Sequence, residues 1–137
     1  MATDLKKAAR ERFEEAQKSV IAMSHRIHTN PEVGWEEEKA SEWLSEYLDA
    51  AGFKVEKGIC GLSTSFLARI GSGPLHIGIC AEYDSLPGIG HACGHNIIAA
   101  SAIGAALAAA KVADEAGLTI TVLGPLRKKC VTPAARF

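Results

Sequence analysis

The chain has 137 residues, 47% of them hydrophobic, with fifteen basic against sixteen acidic side chains and a formal net charge of −1. That size and apolar content fit one compact domain with its own core and exclude a disordered chain. The charge balance supplies no overall field for nucleic acid or an anionic membrane, so a small neutral or zwitterionic partner is expected.

The segment Ala2 to Glu15 is dense in Lys, Arg and Glu and has neither an apolar stretch nor a small-residue cleavage site, so it reads as no secretory signal and a cytoplasmic location is expected. From Leu5 to about His28, Phe13, Ala16, Val20, Met23 and Ile27 recur at three- and four-residue steps and predict an amphipathic helix. His25 and His28, near its end, are read as structural groups that complement the helix dipole. Asn30-Pro31 stops the helix. A second helix is predicted from about Glu36 to Ala51, with Ala40, Trp43, Leu44, Tyr47 and Leu48 on one face and Gly52 as its stop.

Three strands follow, Phe53 to Glu56, Ser63 to Ile70 and Leu75 to Ala81, the last apolar enough to be expected buried on both faces. Gly71-Ser72-Gly73-Pro74 connects the second and third. After a loop from Glu82 to Gly94, the Ala-rich segment Asn96 to Ala113 predicts a third helix and Leu118 to Leu123 a fourth strand, joined as a right-handed parallel crossover. The stretch Ile97 to Ala110 falls short of the roughly 20 apolar residues that span a bilayer. Together these elements predict one α/β unit: a partial three-layer sandwich with a mostly parallel sheet flanked by helices.

The loop Glu82-Tyr-Asp-Ser-Leu-Pro-Gly-Ile-Gly-His-Ala-Cys-Gly-His-Asn96 follows a strand end, where ligands bind in open α/β sheets. It gathers carboxylates, imidazoles and a thiol between residues that let the backbone bend. Cys93-Gly94-His95 can place sulfur and nitrogen on one metal ion, and the helix N-terminus that follows favours a thiolate. Spacing alone leaves a buried thiol and a hydrogen-bonded loop histidine equally open. Cys60, Cys80 and Cys130 have no ligand-type neighbours and are read as structural, and all four cysteines are expected as reduced thiols.

The stretch Glu82 to Asn96 resembles the signature of the two-metal peptidase family that includes aminoacylases, indole-acetyl-amino-acid hydrolases and aminobenzoyl-glutamate hydrolases. His25-Arg-Ile-His-Thr-Asn-Pro-Glu-Val-Gly34 resembles the opening helix and turn of the same family, and the likeness runs to about Gly124. The resemblance implies a zinc-dependent amidohydrolase or metallopeptidase acting on N-acyl amino acids or dipeptides. In the whole protein it would carry two divalent ions, with manganese or cobalt as alternatives to zinc. Carried over by position, it makes Cys93 and His95 metal ligands and Asp84 the carboxylate that orients a ligand or the catalytic base. Glu82 stands where many relatives place a metal-binding histidine, and Asn96 where many carry Asp.

Residues 1–124 are therefore read as the N-terminal part of a metallopeptidase catalytic domain and 125–137 as a non-family tail, expected to be disordered. In the family a Thr-Pro-Ala-Glu-Glu-Gly run follows this strand and supplies the general base and a metal ligand. Here Pro125-Leu-Arg-Lys-Lys129 stands in its place. The bases CCC CTG CGG AAG AA encode the observed run, and read in a shifted frame, (A)CC CCT GCG GAA GAA, they encode Thr-Pro-Ala-Glu-Glu. A truncated, frameshifted chain that is inactive alone and self-associates through uncovered apolar surface is the resulting expectation. The alternative is a non-catalytic fragment that binds full-length chains through an exposed sheet edge.

Overall fold

The structure is a computed structural model and describes residues 2–125. Helix α1 (Ala2–His28) leads through a turn into α2 (Glu38–Ala50). Strand β1 (Lys54–Lys57) and a single 3-10 turn (Ile59–Gly61) precede β2 (Phe66–Ile70) and β3 (Leu75–Cys80). Helix α3 (His95–Ala110) then crosses to β4 (Leu118–Leu123). The expected helices and strands are all present, with ends shifted by a few residues. Of the tail expected at 125–137, residues 126–137 lie outside the described residues.

The four strands lie in the order β1-β2-β4-β3. The α/β class holds, but the expectation of a mostly parallel sheet is corrected. β1 pairs antiparallel with β2, and β2 antiparallel with β4, leaving β3 with β4 as the parallel pair. The cause lies in the connections. The short links around β2 reverse the chain, and the one crossover long enough to return a strand in the same direction is the one that contains α3.

Burial decides the layers. Phe66 and Ala68 of β2 and Ile120 and Val122 of β4 face one side of the sheet and are inaccessible to solvent. They form a single core with Ala16, Val20, Met23 and Ile27 of α1, Leu44 and Leu48 of α2, and Ala99, Ile103 and Leu107 of α3. Helix α1 packs most extensively on α3, where Gly104 lets the Phe13 ring approach so closely that a Cβ there would lie 2.8 Å from it. Among the described residues the helices cover this face alone. The opposite face carries Arg69, His76, Gly78, Thr121 and Leu123 around a shallow cavity of about 420 Å³.

Strand β3 also departs from expectation. It was expected to be buried on both faces, yet Leu75 is 60% and Ile77 39% exposed. An apolar strand reads alike whether it sits at the centre or the edge of a sheet, and here β4 takes the inner position. β2 begins at Phe66, after the expected Ser63, because side chains intervene. Ser65 Oγ lies 2.8 Å from the carbonyls of both Ile59 and Leu62, holding the preceding residues in a turn instead of a ladder. Cys80 and Cys93 are free thiols, whereas Cys60 is disulfide-bonded, which corrects the expectation of a reduced thiol there.

The connection between β2 and β3 is tight enough to test. A Cβ on Gly73 would fall 1.8 Å from the carbonyl carbon of Gly117 and 2.2 Å from the amide nitrogen of Leu118. Those are backbone atoms that no rotamer change can move aside. We expect Gly73→Ala to cost about 3 kcal/mol, at the upper end of overpacking penalties. Urea unfolding followed by circular dichroism measures this, and a midpoint equal to that of the parent chain would contradict the packing described.

Candidate metal-binding site

The loop between β3 and α3 is fixed at both ends by buried residues. Tyr83 is fully buried, its hydroxyl donating to the Thr64 carbonyl at 2.6 Å and its ring stacked on Phe66. Burial raises the Tyr83 hydroxyl well above the ordinary tyrosine range and keeps it a neutral donor. At the other end the buried Asn96 donates its amide to Ser24 Oγ at 3.0 Å, tying the start of α3 to α1. That contact gives Asn96, whose role sequence left open, a structural place. Between these anchors Gly88, Gly90 and Gly94 all adopt positive φ, which a side chain bearing a Cβ disfavours.

The residues next to the anchors meet. His95 Nδ1 lies 2.8 Å from Asp84 Oδ1 and 3.0 Å from the Asp84 carbonyl oxygen. Both neighbours are acceptors, so Nδ1 carries a proton and donates. Glu82 Oε2 sits 3.5 Å from Nε2 of the same ring. The ring and the Asp84 carboxylate are partly exposed, and Glu82 is more so. Of the three residues singled out from sequence, Asp84 and His95 are thus brought together. Cys93 is an exposed free thiol on the preceding turn. Among the described residues no group of three or more His, Cys, Asp or Glu side chains is placed to hold a metal ion. The donors fit a divalent cation in kind, an imidazole nitrogen beside a carboxylate with a thiol two residues away, but do not by themselves complete a coordination shell.

Three further groups were not singled out in sequence. Glu32 uses both carboxylate oxygens to accept the main-chain N–H groups of Lys39 and Ala40 at 3.0 Å each, capping α2 from outside the helix. Its carbonyl accepts the Ser85 N–H at 2.7 Å, so the same residue pins the turn to the site loop. Glu37, 2% exposed, accepts a hydrogen bond from Thr64 Oγ1 at 3.0 Å. His91 is buried, with its ring 6.3 Å from that of His28, and burial, then the neighbouring His28 and His95, lowers its pKa and favours the neutral ring. The available signal was the run of glutamates after Pro31, which at sequence level is indistinguishable from a solvated helix start.

No family model matches the chain. Over 135 residues, 88% of this chain and 31% of the relative, it is 36% identical to the Xaa-Arg dipeptidase of Mus musculus. It is 31% identical to one chain of the p-aminobenzoyl-glutamate hydrolase of Escherichia coli over 117 residues, 73% of this chain and 24% of that one. Its fold matches a dinuclear metal-binding peptidase of the M20 family from Bacillus subtilis with a TM-score of 0.74 at 23% identity, covering 87% of this chain and 37% of the other. The curated relatives it matches are a dipeptidase and an amide hydrolase, and the likeness to the dinuclear metal-binding peptidase shows a shared fold. The chain spans about a third or less of the length of these relatives.

The buried Glu37 generates a pH prediction. Burial is the largest influence on its carboxyl and raises its pKa, with Asp84 adding in the same direction against hydrogen bonds that lower it. The folded state therefore holds the proton to higher pH than the unfolded state. This contribution is fully present below the unfolded value and is lost as pH rises through the folded one. Glu37→Gln, neutral at every pH and still able to accept from Thr64, should raise the urea midpoint at pH 8 and match the parent chain near pH 4. A variant less stable than the parent at pH 8 would contradict this.

Proposed function

We propose that this chain forms the N-terminal part of the catalytic domain of a metal-dependent amidohydrolase or peptidase that cleaves the amide bond of N-acyl amino acids or dipeptides. The observation that carries the reading is the 2.8 Å contact between His95 Nδ1 and Asp84 Oδ1, with Nε2 facing Glu82. A histidine oriented by a carboxylate through its other nitrogen is the usual arrangement of a metal-ligating imidazole. In this reading His95 and Cys93 hold a divalent cation, and Asp84 fixes the tautomer and direction of the ring. A thiolate donor favours zinc over manganese or cobalt.

The printed names of the relatives support the substrate class, an Xaa-Arg dipeptide for one and an aminobenzoyl-glutamate conjugate for the other. Two ions in the whole protein are supported by the dinuclear neighbour. A bound cation would polarise the amide carbonyl and make a water nucleophile available at neutral pH. The chain's own part is to hold and aim. Asp84 keeps the Nδ1 proton in place, Tyr83 and Asn96 fix the ends of the loop, and Glu82 offers a carboxylate on the Nε2 side. Among the described residues no helix is long and apolar enough to cross a membrane. A cytoplasmic location, and a small-molecule partner in place of nucleic acid or membrane, belong to the same proposal.

A second reading, a non-catalytic partner that binds longer chains, is favoured by one observation, the exposed edge strand β3 with Leu75 and Ile77 open to solvent.

We expect the 137-residue chain to bind zinc in competition with a chromophoric chelator and to release no amine from N-acyl amino acids or dipeptides. The sequence after Gly124 lacks the acidic pair that the family uses as base and ligand. Asp84→Asn should weaken zinc binding by about 10- to 100-fold, the usual cost of removing an orienting carboxylate. Equal affinity in the parent and Asp84→Asn chains would sink the assignment of Asp84, and zinc-dependent turnover by this chain would refute the expected inactivity.

A further inference from the structure

The face of the sheet that the helices leave open carries an ordered polar row. Cross-strand partners point to the same side of a sheet, so Arg69 of β2, Thr121 of β4 and Gly78 of β3 line up across three strands. Lys54, the partner of Arg69 on β1, adds a second cation to the row. Arg69, Thr121 and Gly78, with His76, Ile77 and Leu123, line the cavity of about 420 Å³. Gly78 contributes no side chain, and a Cβ there would meet only Leu123 Cδ1, at 3.7 Å. The hollow therefore sits over Gly78, with Thr121 and then Arg69 to one side of it.

Two polar groups of this cavity have no partner. Arg69 Nε is buried and makes no hydrogen bond, and among the described residues the guanidinium enters no ion pair. Thr121 is 7% exposed, and among the described residues its hydroxyl makes no hydrogen bond. Thr119, two residues away on the same face, shows the ordinary arrangement, its hydroxyl donating to the Gly73 carbonyl at 2.7 Å. A buried donor left unmet costs stability, most of all when a cation carries it. A negatively charged acceptor would satisfy Arg69 and Thr121 together. The planar guanidinium presents its donors as a fork that fits a carboxylate through two parallel hydrogen bonds. Gly78, Leu123 and Ile77 supply backbone and hydrocarbon, which suits a compact apolar body behind the charge. A packed helix is the poorer occupant, because its apolar stripe would bury the Arg69 charge without an acceptor.

We propose that this cavity binds a small carboxylic acid with a compact apolar body, its carboxylate held by Arg69 and Thr121 and its hydrocarbon lying over Gly78 against Leu123. The cavity shares no residue with the loop from Glu82 to Asn96, and the proposal does not depend on the amidohydrolase reading above.

The test titrates benzoate into the 137-residue chain beside two controls, benzamide, which keeps the shape without the charge, and inorganic phosphate, which keeps the charge without the apolar body. Binding is read by NMR at the Arg69 Nε–H, identified by its loss in Arg69→Met, and at the Gly78 amide. Benzoate should shift both resonances saturably and bind about tenfold more tightly than benzamide, the lower range for a hydrogen bond to a charged group. Phosphate should bind more weakly than benzoate. Arg69→Met, read at the Gly78 amide, should lose about the same tenfold while its urea midpoint holds, since no hydrogen bond is removed. Thr121→Val should weaken benzoate by about fivefold, the net value of one neutral hydrogen bond. Gly78→Val should abolish binding at an unchanged or higher midpoint, because its Cβ enters open space and a strand favours a branched residue. No saturable shift in the parent chain, benzamide or phosphate binding as tightly as benzoate, or unaltered benzoate binding in Arg69→Met or Gly78→Val overturns the proposal. So does movement of the same resonances on simple dilution of the parent chain, which would mean that a second copy occupies this face.

Discussion

The hydrogen bond from His95 to Asp84 closes a loop whose two ends the fold has already brought together. Asp84 follows the last residues of β3 and His95 begins α3, so the β3–α3–β4 crossover sets both positions. What converts proximity into a defined 2.8 Å contact is the pair of anchors one residue further out. Tyr83 is locked in the core beneath Asp84, and Asn96 is locked against α1 beyond His95. Neither site residue needs to be buried to be held, because each is bonded to a neighbour that is. An interaction between partly exposed groups would otherwise lose side-chain entropy in forming.

The turn from Pro31 to Glu37 builds the second wall of the same site. Glu32 acts in two directions, its carboxylate on α2 and its carbonyl on Ser85, so the start of α2 and the site loop share one residue. Glu37 adds a buried carboxylate close to a second carboxylate, an arrangement that costs stability whenever both are charged. Its Thr64 hydrogen bond offsets part of that cost. A leucine there would pack without any such penalty, but it could not accept the N–H of Trp35. Glu37 therefore organises the turn while destabilising the core.

Legibility followed the kind of physics each feature depends on. The stripe Phe13, Ala16, Val20, Met23 and Ile27 was readable because a helix buries residues by its own period, and all but Phe13, which is 37% exposed, are buried. The chemical character of the loop was readable because Gly, His, Cys and Asp cluster there with few structural reasons to do so. The contact of Asp84 with His95 came through the resemblance, since nothing in an eleven-residue spacing dictates it. Strand direction was not readable. Leu75 to Cys80 has the same apolar pattern in the middle of a sheet or at its edge, and only the insertion of β4 between β2 and β3 settles which. Glu32 and Glu37 were invisible for a related reason. A glutamate that caps a neighbouring helix, one that is buried, and one that is solvated are identical letters, and their difference lies entirely in tertiary partners.

The donor set also limits what these residues can achieve together. His95 Nε2 and Glu82 face each other at 3.5 Å, while Cys93 lies exposed on the adjoining turn, and no cluster of three donors forms among the described residues. A zinc ion held by two protein donors keeps the rest of its shell in water and exchanges readily, whereas a catalytic site uses three protein donors and reserves one position for water or substrate. In the proposed reading the described residues would supply the oriented half of a metal site. Tight binding requires either that the Cys93 thiolate swing toward Nε2 or that donors arrive from elsewhere.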